Sequence, residues 1–218
     1  MTYTGHADVG GPAQVRELPD LVISKIAVGA LDNNCYLLRC RHTGQQLLID
    51  PAADAAAILA LVGADGVAMI ALTHGHADHW QALDDVVRAS AAVVLAHPSE
   101  AADLPLPLDM SLADGDVIEF GAVHVRVIHV RGHTAGSLVF AYDDPEGHAH
   151  LFTGDSLFPG GVGNTWGDAD CFAQLIDDVE HKVFEVFSDE TWVYPGHGDD
   201  TILGRERPSL AQWRERGW

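Results

Sequence analysis

Cysteine and basic residues are scarce in this sequence, and both scarcities narrow its possible functions. Only 3 of the 218 residues are cysteines, and the spacing of Cys35, Cys40 and Cys171 matches neither a zinc-binding pair nor a redox pair. An odd number of cysteines without a regular framework is typical of proteins from a reducing compartment. We therefore expect a cytoplasmic location and no disulfide framework.

Positive charge is scarce because 12 lysines and arginines face 32 aspartates and glutamates, which gives a formal net charge of −20. A surface with this charge repels nucleic acids and anionic membranes. No apolar run is long enough to span a membrane, and residues 1–11 lack the apolar core of a signal peptide. We therefore predict neither nucleic acid nor a membrane as a partner. The oligomeric state stays open.

Length and composition predict a single domain over residues 1–218. A chain of 218 residues that is 47% hydrophobic can bury one substantial core. Residues 1–20 are rich in glycine, proline and charge, and we expect them to form a flexible N-terminal arm.

Residues 73–80, Thr-His-Gly-His-Ala-Asp-His-Trp, are the most informative segment. Three imidazoles and one carboxylate, from His74, His76, Asp78 and His79, occupy six consecutive positions. Imidazole and carboxylate together suit zinc, iron or manganese. His74 and His76 lie on one side of the chain only in extended backbone, while the adjacent Asp78 and His79 point in different directions. Ligands that diverge in this way serve two metals better than one.

The flanking sequence predicts where this segment lies in the fold. Residues 67–72 form a continuous apolar run that is typical of a buried strand, and residues 80–90 have helical spacing. The segment is therefore expected in a loop at the carboxyl end of a strand, where open α/β sheets bind their ligands.

Three later segments carry the same kinds of side chain after predicted strands. They place His133 between glycines, Asp155 at the end of an apolar run, and His197 in a Pro-Gly-His-Gly turn. Taken singly, each is an ordinary turn residue; together with residues 74–79 they predict a metal centre.

This ordered pattern resembles the metallo-β-lactamase fold superfamily, and more closely its glyoxalase II-like branch. The resemblance extends from about Ile23 to His197 and fills all seven ligand positions. It implies an α/β protein with a four-layer αββα sandwich built from two similar halves. We expect these halves to meet near the proline-rich residues 98–107.

The resemblance also implies a role for each ligand. One metal would be held by His74, His76 and His133, and a second by Asp78, His79 and His197. Asp155 would bridge the two, and Asp50 would orient the metal loop, although a strand-ending turn explains Asp50 almost as well. The cofactors implied are two divalent ions, zinc first, with iron or manganese as alternatives.

The implied activity is that of a binuclear hydrolase with a small-molecule substrate, in which a metal-bound hydroxide attacks a thioester or a related ester. Asp78 is the predicted catalytic residue, a ligand that also orients the water or receives its proton. Three alternatives stay open: an oxidoreductase resembling the persulfide dioxygenases, with one iron held by two histidines and an aspartate; a lactonase or other small-molecule hydrolase; and a non-catalytic metal-binding protein.

Substrate identity is where the chain departs from glyoxalase II. No basic residue occurs between Asp155 and Lys182, where glyoxalase II-like proteins carry one, and Asp199-Asp200 replaces the usual Glu-Tyr. Both departures weaken the case for glutathione, but Trp166 could line a pocket.

Two further expectations concern structure outside the predicted metal centre. Residues 169–187 predict a helix capped by Asp168 or Asp170, and His150 is expected to face solvent.

Overall fold

The structure, a computed structural model, describes residues 3–217, and its first half forms a sheet of seven strands in chain order. The strands are β1 (Gln14–Glu17), β2 (Leu21–Val28), β3 (Asn33–Cys40), β4 (Gln46–Ile49), β5 (Met69–Ala71), β6 (Val93–Ala96) and β7 (Met110–Ser111). Pairing is antiparallel from β1 to β4 and parallel from β4 to β7. Helices α1 (Ala55–Val62) and α2 (Leu83–Ser90) are the crossovers that parallel pairing requires.

The second half forms a six-stranded sheet and a short ribbon. Its strands are β8 (Val117–Phe120), β9 (Val123–His129), β10 (Leu138–Asp143), β11 (Ala149–Gly154), the ribbon β12 (Leu157–Phe158) and β13 (Gly161–Val162), then β14 (Trp192–Pro195) and β15 (Thr201–Ile202). The sheet order is β15-β14-β11-β10-β9-β8. Its helices are α3 (Ala169–Val179), α4 (Leu203–Glu206) and α5 (Leu210–Arg216).

Three hydrophobic clusters divide the molecule into four layers. The central cluster, which includes Ile23, Leu38, Phe140 and Phe152, lies between the two sheets. A second joins α1 and α2 to the outer face of the first sheet, and a third joins α3 and α5 to the outer face of the second. The predicted αββα sandwich is confirmed.

Helix α3 follows the predicted apolar pattern, because Phe172, Leu175 and Ile176 are buried in the third cluster. Asp168 caps it, and its carboxylate accepts hydrogen bonds from the backbone N–H groups of Asp170 and Cys171. A single π turn over Glu180–Phe184 continues the helix. Within residues 3–217, no helix combines the length and apolar character that crossing a membrane demands.

The boundary between the halves lies later than the proline-rich stretch. The first sheet continues through β7, and the second begins with β8, so the connection is at residues 112–116 rather than 98–107. Proline content marked a loop correctly, but the strand that follows this loop has only two residues and leaves no recognisable pattern.

The segment expected to be a flexible arm contacts the domain from Tyr3 onward, and residues 1 and 2 lie outside the described part. Strand β1 pairs with β2 along its whole length. The buried Lys25 donates hydrogen bonds to the Gly5 carbonyl and the Asp200 carboxylate, both at 2.7 Å. Tyr3 Oη donates to the same carboxylate at 2.5 Å. The start of the chain therefore supplies partners for a charge buried between the halves.

His150 does not face solvent, contrary to expectation. It lies in β11 with 0% exposure, and its Nδ1 is 2.9 Å from Tyr194 Oη. Burial lowers the pKa of its imidazole to about 3. The residue is close to a hairpin turn in sequence, but β11 is a central strand that is covered on both faces.

Replacement of His150 by Asn should reduce the sensitivity of the protein to acid. Because the folded pKa lies below that of the unfolded chain, only the unfolded state binds a proton here between pH 6.5 and 3, and stability falls as pH falls through this range. Between pH 7 and pH 5, protonation of His150 in the unfolded chain should lower the free energy of unfolding of the wild type by about 2 kcal/mol.

Urea unfolding at both pH values measures this loss, and His150→Asn should lack it. The control is His124→Asn, on an exposed strand face, which should behave as the wild type does. Equal losses in all three proteins would contradict the assignment.

Candidate metal centre

All seven predicted ligands lie in loops that follow strands. The loop after β5 carries His74 and His76, and a 3-10 turn over Ala77–His79 carries Asp78 and His79. His133, Asp155 and His197 follow β9, β11 and β14. The structure brings all seven together, with contributions from both halves.

The first group consists of His74, His76 and His133. The Nε2 atoms of His74 and His133 each lie 3.0 Å from Nδ1 of His76. His74 and His133 are buried, whereas His76 is partly exposed. Three ring nitrogens therefore converge on one point near the surface.

The second group consists of Asp78, His79 and His197. The Nε2 atoms of His79 and His197 are 3.2 Å apart. Asp78 Oδ2 lies 3.7 Å from the first of these atoms and 3.3 Å from the second. Asn33, the first residue of β3, donates a hydrogen bond of 2.9 Å to the same oxygen.

Asp155 lies between the two groups. Its Oδ2 is 3.5 Å from Nε2 of His133 in the first group and 3.5 Å from Nε2 of His197 in the second. Its Oδ1 is 3.3 Å from Nε2 of His79. One carboxylate thus reaches both groups, as a bridging ligand must.

Hydrogen bonds on the far side of each ring fix which nitrogen faces the centre. Nδ1 of His133 lies 2.9 Å from the carbonyl oxygen of Asn164, and Nδ1 of His197 lies 2.8 Å from that of Leu31. A carbonyl only accepts, so each Nδ1 carries the proton and each Nε2 presents a lone pair to the centre. Such far-side hydrogen bonds accompany metal-binding histidines.

The arrangement fits divalent cations better than it fits a self-contained hydrogen-bond network. Lone pairs of His133 and its neighbours face one another, and Asp155 Oδ1 is buried without a well-formed hydrogen bond. Space for the centre depends on Gly196, because a Cβ there would lie 2.2 Å from Asp155 Oδ1. Nitrogen and carboxylate donors without thiolates suit zinc, iron and manganese.

The pKa shifts in the first group favour neutral, metal-binding imidazoles. Burial holds the pKa of His74 well below its usual range and lowers that of His133 to about 4. Both rings are therefore unprotonated at neutral pH.

Carboxylates dominate the pKa shifts of the second group. Burial lowers the pKa of His79, but its interactions with Asp155 and Asp50 outweigh the effect of burial and raise the pKa to about 10. Burial alone would raise the pKa of Asp155, but its interactions with His197 and His79 hold it well below its usual range. The two acids thus concentrate negative charge where a cation would be held.

Asp50 organises the loop after β5. Its Oδ1 accepts a hydrogen bond from the backbone N–H of Thr73 at 2.8 Å. Its Oδ2 accepts one from Thr73 Oγ1 at 2.6 Å and faces Nδ1 of His79 at 2.9 Å. Asp50 lies near His74 and His79, and these contacts fit its predicted role of orienting the metal loop.

Glu100 is a site residue that the sequence analysis missed. It is 2% exposed, and its two oxygens accept backbone hydrogen bonds of 2.6 Å from Gly75 and Gly136. Gly75 separates His74 from His76, and Gly136 closes the loop that carries His133. One carboxylate therefore fixes both loops of the first group. Nothing around Glu100 in the sequence marks it, because it follows a strand in an ordinary Pro-Ser-Glu turn.

Comparison with known families agrees with this geometry. The sequence model of the Metallo-beta-lactamase superfamily matches residues 28–201. The chain belongs to this superfamily. The match includes all seven predicted ligands, and the resemblance found in the sequence is confirmed at the level of the family.

The relatives of this superfamily member have names that indicate different functions. It is 40% identical over 184 residues to a hydroxyacylglutathione hydrolase of Fuscovulum blasticum, covering 83% of this chain and 67% of that protein. It is 32% identical to TTHA1623, solved in a di-iron-bound form, with a TM-score of 0.69 and coverage of 84% and 96%. It is 25% identical to ETHE1 from Myxococcus xanthus, with a TM-score of 0.75 and coverage of 88% and 84%.

Replacement of Asp155 by Asn should remove most of the metal bound by this superfamily member. The change keeps the side-chain shape but exchanges an anionic ligand that reaches both groups for a neutral amide. Elemental analysis of protein purified without chelator measures the loss, and Asp65→Asn, an exposed change of the same kind, is the control. Wild-type metal content in Asp155→Asn would remove the bridging assignment.

Replacement of Glu100 by Gln should disturb the first group and leave a folded chain. The amide has only one acceptor oxygen, so one of the two backbone N–H groups loses its partner, which costs about 2 kcal/mol. We expect lower stability in urea and weaker metal binding in titrations. Glu119→Gln removes the same charge from an exposed position and should change neither property. If both variants match the wild type, Glu100 does not position these loops.

Proposed function

We propose that this protein is a metal-dependent hydrolase that cleaves a thioester or a related ester. Its superfamily and its similarity to a hydroxyacylglutathione hydrolase support a metal-dependent hydrolase in general. The observation that carries the proposal is the position of Asp155, whose oxygens lie within 3.5 Å of histidines in both ligand groups. Such a carboxylate is what a two-metal hydrolytic site needs.

The geometry supports a proposed role for each predicted ligand. His74, His76 and His133 would hold one ion, Asp78, His79 and His197 a second, and Asp155 both. When bound, two divalent ions supply an acidified water and positive charge for the carbonyl oxygen of the substrate. Zinc is our first choice, with iron or manganese as alternatives.

Asp78 is the proposed catalytic residue. Its carboxylate is 27% exposed, so it can contact a water or a substrate, and Asn33 holds its Oδ2 in place at 2.9 Å. A carboxylate fixed in this way can orient the attacking water and accept its proton. A serine or cysteine nucleophile is not required.

A second candidate is oxygen chemistry at a single iron. Nε2 of His133 lies 3.5 Å from Asp155 Oδ2, so two histidines of the first group and this aspartate can form the facial set that non-haem iron oxygenases use. The similarity to ETHE1 and to a protein solved with two irons keeps iron in consideration.

Metal content and a substrate panel decide between the candidates. We expect about two divalent ions per chain, hydrolysis of thioesters, loss of activity on chelation and in Asp155→Asn, and recovery when metal is returned. Lactones and simple esters, assayed in parallel, test the related hydrolase reactions. About one iron per chain with oxygen uptake from a persulfide, and no hydrolysis, would overturn the hydrolase in favour of the oxygenase.

A further inference from the structure

Trp166 presents an uncovered apolar surface beside the first ligand group. Its ring centroid lies 5.3 Å from that of His76, at an interplanar angle of 86°, and 5.3 Å from that of His133, at 32°. Trp166 is nevertheless 65% exposed. Tryptophan is usually well buried, so an indole open to solvent at this position has a face available to a bound molecule.

The loop holds this indole in place. Trp166 has a φ of 52°, in the left-handed region that non-glycine residues rarely adopt. Its backbone N–H donates a 2.7 Å hydrogen bond to Asn164 Oδ1. The carbonyl oxygen of Asn164 accepts a hydrogen bond of 2.9 Å from Nδ1 of His133. Asn164 therefore fixes both the predicted ligand and the backbone that carries the indole. A strained residue that its neighbours hold in this way is typical of functional sites.

The segment that carries Trp166 offers a bound molecule the apolar face of the indole and no positively charged side chain. Between Asp155 and Lys182 the chain contains no lysine or arginine, whereas Asp168 and Asp170 follow Trp166 closely. A substrate group that lies on the indole gains by removing apolar surface from water, but an anionic group there would find no cation in this segment.

A separate cavity on the other side of the centre indicates which part of the substrate lies on Trp166. This cavity, of about 460 Å³, is lined by His6, Phe158 and His197 among others, and adjoins the second ligand group. It has room for the larger, departing part of a thioester. With the departing part in this cavity, the acyl group would extend over the first group, towards the indole.

We propose that Trp166 is a specificity-determining residue whose indole packs against an uncharged, apolar acyl group. The inference rests on the proposed hydrolysis and narrows its substrates to thioesters or esters of apolar acids. Anionic acyl groups should be poor substrates.

Three thioesters of one neutral thiol, N-acetylcysteamine, test this preference: phenylacetyl, acetyl and succinyl. The wild type should prefer phenylacetyl to succinyl by about tenfold or more in kcat/KM. Trp166→Ala should lose about tenfold on phenylacetyl, mainly through KM, and change little on acetyl, because the lost contact is a binding contact. Trp166→Phe, which keeps an aromatic face, should retain most of the preference.

Two further variants separate specificity from structure. Asn164→Ala retains the carbonyl that faces His133 but loses the side-chain acceptor for Trp166, so it should weaken the phenylacetyl preference with unchanged metal content. Val186→Ala, an exposed apolar change elsewhere, should match the wild type. A preference for succinyl, or equal losses on all three substrates in Trp166→Ala, would overturn the proposal. Loss of bound metal in Trp166→Ala would do so too.

A binding measurement keeps the inference testable if no thioester is cleaved. Titration with phenylacetate should change the tryptophan fluorescence of the metal-loaded wild type, and this change should be absent from Trp166→Phe. Failure of every hydrolytic assay would refute the proposed function alone. Identical fluorescence responses in the two proteins would refute the role of Trp166 alone.

Discussion

The rest of this structure depends on one constraint. Electron-rich side chains must be held close together in a region that is largely shielded from water. Histidine nitrogens lie 3.0 to 3.2 Å apart there, and outer hydrogen bonds hold several of these side chains from behind. Asp50 accepts hydrogen bonds from the loop after β5, and backbone carbonyls face the rings of His133 and His197. These outer contacts set the tautomers and the directions of the rings, and ligand geometry follows from them.

The fold and the grouping of seven candidate ligands could be predicted from the sequence because both leave local patterns. Apolar runs of strand length lead into the residues of the centre, and the apolar spacing after Asp168 predicted α3. The ordered positions of the seven ligands indicated the superfamily to which the chain belongs. Their assignment to particular metals stays a prediction.

Features that depend on distant contacts left no such pattern. Glu100 is recognisable only when the loops around Gly75 and Gly136 are seen to meet on its carboxylate. His150 is polar and close to a turn, and only the position of β11 inside the sheet explains its burial. The start of the chain looked loose because its partners, Lys25 and Asp200, are far from it in sequence.

Each ligand group is divided between the two halves of the sandwich. His74 and His76 come from the first half and His133 from the second, while Asp78 and His79 come from the first half and His197 from the second. Neither half alone contains a complete group, so the centre exists only when the sheets have packed. Any cation held there would in turn join the halves, and its binding free energy would add to the stability of the folded protein.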